Sequence, residues 1–461
     1  MNTGINEHRQ PPIGVDRPGF VPDQATVRAL RARVARRLQG EGSHGVERAS
    51  LVGEEITAWA HERASRGDPP LSEQDERVLA AAVLAALAGL GGLQPLLERG
   101  DVENIHIHGH DQVFLELADG RLQRWPHAVA ASDAELVELL EAMFARLGQT
   151  SREFSPARPI GNLRLPAGGP LGARLAAVRE VSGRPRVAIR RHRLAHATLT
   201  DLHHQGSLDA GLLHFLQVAV AAGLNLVVTG GPYAGKTTLL RALCDEIPAG
   251  EHIVTVEDDY ELGLHLNPVK HPLVTPLEAR TANAEGVGEV SLDDLLKQTL
   301  RHSPSRVVVG EVRGGEITAL LRALGNGAAG GMGTLHAACA RAVPDRIAAL
   351  GQLATPPLPV EAAYRWTASA LDLIVHLARR DYAGRRERFV TEIAEVGQVG
   401  DAAIPDLTSL FGPRPGDGRA IPVSAPSRVL LARLEARGLD RGIFQHHHGR
   451  WDTHHWGGED R

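Results

Sequence analysis

The sequence predicts an α/β protein: a domain on a mainly parallel sheet that carries a phosphate-binding loop, preceded by a smaller α/β domain and an N-terminal helical segment. Three observations carry that prediction. The stretch from Leu224 to Leu243, LNLVVTGGPYAGKTTLLRAL, is a short apolar run that breaks into a Gly-rich loop and restarts as a helix. After it, apolar runs at Ile253–Val256, Val307–Val309 and Met332–Leu335 alternate with helical patterns, an order that calls for parallel strands. Before it, from Asp101, the apolar period drops to two.

Residues 1–22 are polar and Pro-containing, lack the charged start and apolar core of an export signal, and are expected to be disordered. Residues 23–98 read as helices. Asp23 precedes a stripe of Val27, Leu30, Val34 and Leu38, with Arg28, Arg31, Arg33, Arg36 and Arg37 on the remaining face, which reads as solvated or, alternatively, as a contact for a membrane surface or an acidic partner. Between Arg77 and Glu98 lie twenty uncharged residues, long enough on paper to span a bilayer, but their second half is broken by glycines and Pro95, which predicts a buried helix and a turn.

Residues 99–191 form the smaller α/β domain. Ile105 and Ile107, then Val113, Leu115 and Leu117, flank turn signals at Gly109 and Asp119-Gly120 and read as a hairpin or meander. His106, His108 and His110 alternate there without a carboxylate or Cys cluster, so an exposed strand face is expected rather than a metal site. A helix near Asp133–Leu147 and strands through Val187–Ile189 complete it. Residues 192–206 read as a linker. The second domain spans 207–399, with a capping box at Ser291 and Asp294 and a closing hairpin, Leu373–Leu377 and Phe389–Val396, around Ala383-Gly384. Residues 400–461 read as a Pro/Gly- and His-rich extension with a short helical pattern near Val429–Arg437 and a solvated His-rich end.

At 461 residues the chain needs more than one core. Its net charge of −5 gives no basic field for bulk nucleic-acid binding, and no nucleic-acid partner is expected. Cys244 and Cys339 are too far apart in the sequence to suggest a disulfide framework, so a cytoplasmic compartment is expected. Of 50 basic Lys and Arg residues only Lys236, Lys270 and Lys297 are lysines, and one stands where phosphate chemistry asks for it.

In the loop Gly230, Gly231, Pro232, Tyr233, Ala234, Gly235, the spacing of Gly230 and Gly235 before Lys236 matches G-x-x-x-x-G-K-[ST], where backbone N–H groups close around phosphate oxygens at a helix N-terminus. Lys236 is placed for the β- and γ-phosphates of ATP, Thr237 for Mg²⁺, and Thr238 for a nearer phosphate. Three apolar strands end in polar groups: Val307–Val309 in Glu311, the candidate general base; Ile253–Val256 in Glu257, Asp258, Asp259 and Glu261; and GMGTLHA in Thr334 and His336, neutral donors for sensing a γ-phosphate.

From about Gln94 to Val396 the chain resembles the ATPases of type II and type IV secretion systems, and among them the CpaF-type ATPases of tight-adherence (Tad) pili. The resemblance rests on DQVFLE, AIRRH, VTVEDDYEL, EGVGEVSLDDLLKQTLRHSPSRVVVGEVRGGE and GTLHA, in that order. It implies a sensory-like N-terminal domain joined to a RecA-like P-loop ATPase domain. It also implies a homo-hexameric ring, peripheral at the inner face of the cell membrane, that drives pilus assembly or secretion through inner-membrane platform proteins. It assigns nucleotide binding to Gly230–Thr238 and a catalytic or metal-positioning role to Glu257 and Glu261. Catalytic activation falls to Glu311 and sensing to His336. Arg190 matches an arginine that approaches phosphate, and Arg280 a second basic position. Tyr233 and Ala234 depart from the usual Gly and Ser of that loop, and Ser303 from an arginine before the proline. A nucleotide-binding regulator with little turnover and a nucleic-acid-translocating motor are the alternative readings.

Overall fold

The computed structural model describes residues 22–40, 48–88, 90–147, 154–191, 197–283, 285–325, 329–382, 385–400, 403–445, 449 and 451. The expected disorder of the first 21 residues and the solvated character of the His-rich end lie outside them. Helices α1 (Gln24–Gly40), α2 (Arg48–Ser65) and α3 (Glu73–Ala88) meet around Leu30, Val34, Val52, Ile56, Leu79 and Val83. The α1 arginines are not all solvated: Arg33 pairs with Glu55 and Glu62 of α2, and Arg37 with Glu54 and Glu55. The uncharged run is divided between α3 and the short α4 (Gln94–Glu98), and no helix among the described residues is long and apolar enough to cross a membrane.

A six-stranded antiparallel sheet follows. Its strands are β1 (Val102–His108), β2 (Gln112–Leu117), β3 (Leu122–Trp125), β4 (Ile160–Leu165), β5 (Ala173–Val178) and β6 (Arg186–Arg191), in the order β3-β2-β1-β6-β5-β4. The alternating residues Ile105, Ile107, Val113 and Leu115 face α5 (Asp133–Leu147), whose Leu136, Leu140, Met143 and Phe144 fall one helical turn apart on a single stripe. Of the three histidines, His106 and His108 are half-buried on β1, whereas His110 lies beyond its end and binds Asp133 at 2.7 Å. Among the described residues no cluster of three or more His, Cys, Asp or Glu could hold a metal.

Helices α6 (Leu199–His204) and α7 (Ala210–Ala221) lead into the second sheet. Of the expected linker over 192–206, residues 192–196 lie outside the described residues, and within the rest Thr198 and Asp201 form a full capping box that starts α6. The second sheet holds nine strands: β7 (Leu226–Gly230), β8 (Ile253–Glu257), β9 (Val274–Glu278), β10 (Arg306–Val312), β11 (Met332–Leu335), β12 (Leu373–Tyr382), β13 (Arg385–Val399), β14 (Pro405–Pro413) and β15 (Ala420–Pro422). Their order is β15-β14-β13-β12-β7-β11-β10-β8-β9, parallel from β12 to β9 and antiparallel from β12 to β15. The central strands are buried on both faces, and for that reason they read as continuous apolar runs. One face is covered by α7, α8 (Lys236–Asp245) and α13 (Arg428–Glu435), the other by α9 (Leu292–Thr299), α10 (Ile317–Gly325), α11 (Val343–Gly351) and α12 (Val360–Ala370). This is a RecA-like order, in which β11 separates the phosphate-loop strand β7 from the acidic strand β10.

The C-terminal assignment is also corrected. Residues 405–413 and 420–422 are strands of the same sheet, and α13 buries Leu430 and Leu434 in its core, so this part of 400–461 belongs to the second domain rather than to an extension. The prolines that suggested irregular chain sit at strand ends, Pro405, Pro413 and Pro422, where a missing N–H costs little.

Candidate active site

β7 delivers the chain into the phosphate loop and α8 takes it out. Gly230 has φ +154°, and a Cβ there would stand 2.5 Å from the Leu377 carbonyl oxygen. Gly235, at φ +93°, starts α8 in the left-handed region, which only glycine enters without strain. Tyr233 enters the same region at φ +61° with its ring half exposed. Gly231 and Pro232 are exposed, Ala234 is buried, and Thr237 and Thr238 are half-buried in the first turn of α8.

Lys236 is 8% exposed, and its ammonium donates to the Gly231 carbonyl at 3.0 Å and to His336 Nδ1 at 3.2 Å. Burial, opposed by Glu311, lowers its pKa to about 8. Because β11 lies between β7 and β10, His336 at its end stands between the lysine and Glu311. With Nδ1 accepting from Lys236, the ring proton is assigned to Nε2, which lies 2.9 Å from Glu311 Oε1. That approach lies outside hydrogen-bond geometry, and Oε1 has no hydrogen-bond partner. Burial and then the Lys236 charge lower the His336 pKa, so the ring is neutral at pH 7. Burial alone would raise the Glu311 pKa, but the Arg313 guanidinium, bonded to Oε2 at 2.7 Å, and the charge of Lys236 hold it below the usual carboxylate value.

Glu257, at the end of β8, is 2% exposed. Its Oε2 accepts the N–H groups of Glu261 and Leu262, both at 2.8 Å, and its Oε1 is buried without a hydrogen-bond partner. Burial raises its pKa to about 7. Glu261 accepts from Arg174 of β5 at 3.0 Å. Thr334 does not point to a phosphate position: its hydroxyl donates to the Gly310 carbonyl at 2.7 Å and ties β11 to β10.

A cleft of about 540 Å³ opens between the two domains at the phosphate loop, and Arg190, Tyr233, Thr237, Thr238 and Glu261 line it. Arg190 and Arg191 reach the cleft from β6. Arg280 is elsewhere. It donates to the Gly288 carbonyl at 2.6 Å and lines a larger cavity of about 1200 Å³ near Asp258 and Arg313, so within one chain the structure does not bring it to the phosphate loop. The larger cavity is not lined by the phosphate loop, whereas Tyr233, Ala234 and Gly235 of the loop line the smaller one.

Sequence reasoning missed Arg313, Arg174 and Arg388. Arg313 was visible two residues after Glu311 inside a quoted motif, but its reach to Asp258 at 3.2 Å was not. Arg388 donates to the Tyr233 carbonyl at 2.9 Å and holds Glu103 of β1 at 3.0 and 3.2 Å, a contact with no local signal.

The fold and this site define a secretion-system class of protein: the chain belongs to the type II/IV secretion system protein family, whose pattern matches residues 88–402. It is similar to a Mycobacterium tuberculosis protein named for conjugal transfer, 36% identical over 317 residues, which cover 68% of this chain and 86% of that protein. It is also similar to the type IV secretion system protein PtlH of Bordetella pertussis, 30% identical over 332 residues, covering 65% and 92%. Among solved structures, the VirB11 ATPase of the Brucella suis type IV secretion system, in complex with sulphate, is 26% identical at a TM-score of 0.34, covering 70% of this chain and 97% of that one.

Proposed function

We propose that this protein is an ATP-hydrolysing motor of the CpaF type that works as a homo-hexameric ring, peripheral to the inner membrane, and drives Tad-pilus assembly or secretion through membrane platform proteins. One observation carries the reading: Lys236, His336 and Glu311 stand side by side, and the loop residues that flank Lys236 line a cleft that Arg190 of the N-terminal sheet also lines. ATP takes the Lys236 ammonium away from Gly231 and His336 and onto its β- and γ-phosphates, while the N–H groups of the loop close around their oxygens. Glu311, kept ionised, takes the proton of the attacking water. His336, released by the lysine, is a neutral donor beside the γ-phosphate. Arg190 meets the charge that develops on the transferred group.

The residues fit a hard cation through oxygen donors: the Thr237 hydroxyl and the unpartnered Glu257 Oε1 would hold Mg²⁺ together with phosphate oxygens. When bound, the ion neutralises charge on the β- and γ-oxygens. A regulator that binds nucleotide without turning it over is the second reading, favoured by the existing engagement of Lys236 with His336. Phosphate release decides between the two. The wild-type chain is expected to release phosphate steadily and to sediment as a hexamer with ATP. Arg190→Ala is expected to keep most ATP affinity and lose hydrolysis by roughly 10³-fold, as removal of an arginine finger does. Turnover of that variant within about threefold of wild type, as for a surface side chain, would end the arginine assignment.

A further inference from the structure

The phosphate loop places a large aromatic residue where the backbone favours glycine. Tyr233 has φ +61° and its side chain is 50% exposed, so its ring gains little from burial to offset that conformation. The loop does not need the ring to hold Lys236, which Gly231 and His336 already engage. What the ring does have is cations. Arg190 of β6 lies 5.7 Å from its centroid and Arg379 of β12 lies 5.9 Å from it. The negative face of an aromatic ring attracts a guanidinium at such distances. Arg190 is exposed and has no carboxylate partner among the described residues, which leaves the ring as its aromatic neighbour in the cleft. The Tyr233 carbonyl is held in turn by Arg388, whose other nitrogen grips Glu103 of the N-terminal sheet. Ring and carbonyl together thus tie the phosphate loop to the domain that supplies the arginine.

We propose that Tyr233 is a positioning residue, whose ring holds the Arg190 guanidinium over the mouth of the phosphate loop before a γ-phosphate arrives. This rests on the ATP-hydrolysing reading above. The arginine is then presented at the cleft rather than free to sample solvent, and the step to the γ-phosphate is a short transfer from ring to anion. A phosphate outcompetes the ring for the guanidinium because it offers a full negative charge and paired hydrogen bonds. The ring orders the arginine without trapping it.

The test compares Tyr233→Leu, Tyr233→Phe and Tyr233→Gly in the full chain, each alone and in an Arg190→Ala background. An exposed cation–π contact corresponds to about two- to fivefold in rate. Tyr233→Leu should lose that much in kcat with KM for ATP moving less, and Tyr233→Phe, which keeps the ring, should restore most of the loss. Tyr233→Gly relieves the backbone and should still lose kcat, which a merely structural tyrosine would not. In the Arg190→Ala background these differences should vanish. A second measurement needs no turnover: phenylglyoxal labelling of Arg190 in the nucleotide-free protein, read by peptide mass spectrometry, should be faster in the Leu and Gly variants than in wild type or Phe. Equal labelling rates, or equal kcat losses in both backgrounds, would overturn the proposal even if ATP is hydrolysed. If wild type labels slowly and the Leu variant quickly but no phosphate is released, the positioning contact stands and the hydrolysis reading falls.

Discussion

Replacing Lys236 with Met should stabilise the nucleotide-free protein while abolishing ATP binding. The lysine is a desolvated cation: its pKa falls from 10.5 to about 8, chiefly through burial. At 1.36 kcal/mol for each tenfold, that fall puts roughly 3 kcal/mol against the charged form in the folded state. Met has a similar shape and no charge to desolvate. It leaves the Gly231 carbonyl and His336 Nδ1 without a donor, which costs back about 1–2 kcal/mol. The net expected gain at pH 7 is about 1–2 kcal/mol. Its pH dependence has a definite sign. Below pH 8 the lysine is protonated in both states and the wild type carries the whole penalty. Between pH 8 and 10.5 the unfolded chain binds the proton and the folded chain does not, so wild-type stability rises with pH and the advantage of Met fades. Urea unfolding of both proteins at pH 7 and pH 9.5 reads the difference, which should fall by roughly 2 kcal/mol over that interval. A Met variant less stable at pH 7, with a difference that does not move with pH, would refute the reasoning.

Two further outcomes follow from the same geometry. Glu311→Gln keeps the shape of the site and removes its base, so ATP should still bind while phosphate release falls by a factor on the order of 10²–10⁴; unchanged release would transfer the role to Glu257 or Glu261. Arg306 is 3% exposed, is held by Glu251 at its Nη2 at 2.9 Å, and donates to the Val220 and Gly330 carbonyls. Arg306→Met should cost about 3 kcal/mol in urea unfolding, because it strips a buried ion pair of one partner, and a loss below about 1 kcal/mol would show that the site relaxes around the change.

What the sequence made legible was what local chain can encode. β7, β8, β10 and β11 are buried on both faces and read as apolar runs, and the groups that follow them, Lys236, Glu257, Glu311 and His336, lie within a few residues of those runs. β9 was hidden by Pro276, which reads as a break inside a strand. Its position at the sheet edge is what makes the proline tolerable. β14 and β15 were hidden by prolines at their ends. α6 did carry a readable signature, Thr198 three residues before Asp201, in a segment too short to look helical. The same limit applies to the site. Arg313 stabilises the Glu311 carboxylate from two residues away, yet Arg174 and Arg388 act from other strands and meet their partners only after both sheets have formed. Arg280 shows the converse, since a position matched by motif faces a different cavity.

Those long-range arginines also bear on how a nucleotide could move this molecule. The N-terminal sheet touches strands β9 and β13 and the loop after β8 through Arg174 with Asp259 and Glu261, Arg164 with Glu278, Glu116 with Arg386, and Glu103 with Arg388. Partly exposed pairs of this kind contribute about 0.2–1 kcal/mol each, so the set amounts to a few kcal/mol rather than the tens that a shared apolar core would supply. Each domain instead keeps its own core, one around α5 and one on each face of the second sheet. A ligand can shift a two-state equilibrium only by its differential affinity for the two states, and about 5.5 kcal/mol takes it from 1:99 to 99:1. An interface of ion pairs therefore lies within reach of a ligand that draws Arg190 from one domain and Lys236 from the other onto the same phosphates. The arginine bias of the chain serves this arrangement, because a planar guanidinium can exchange a carboxylate, a ring or a carbonyl for a phosphate without changing its own charge.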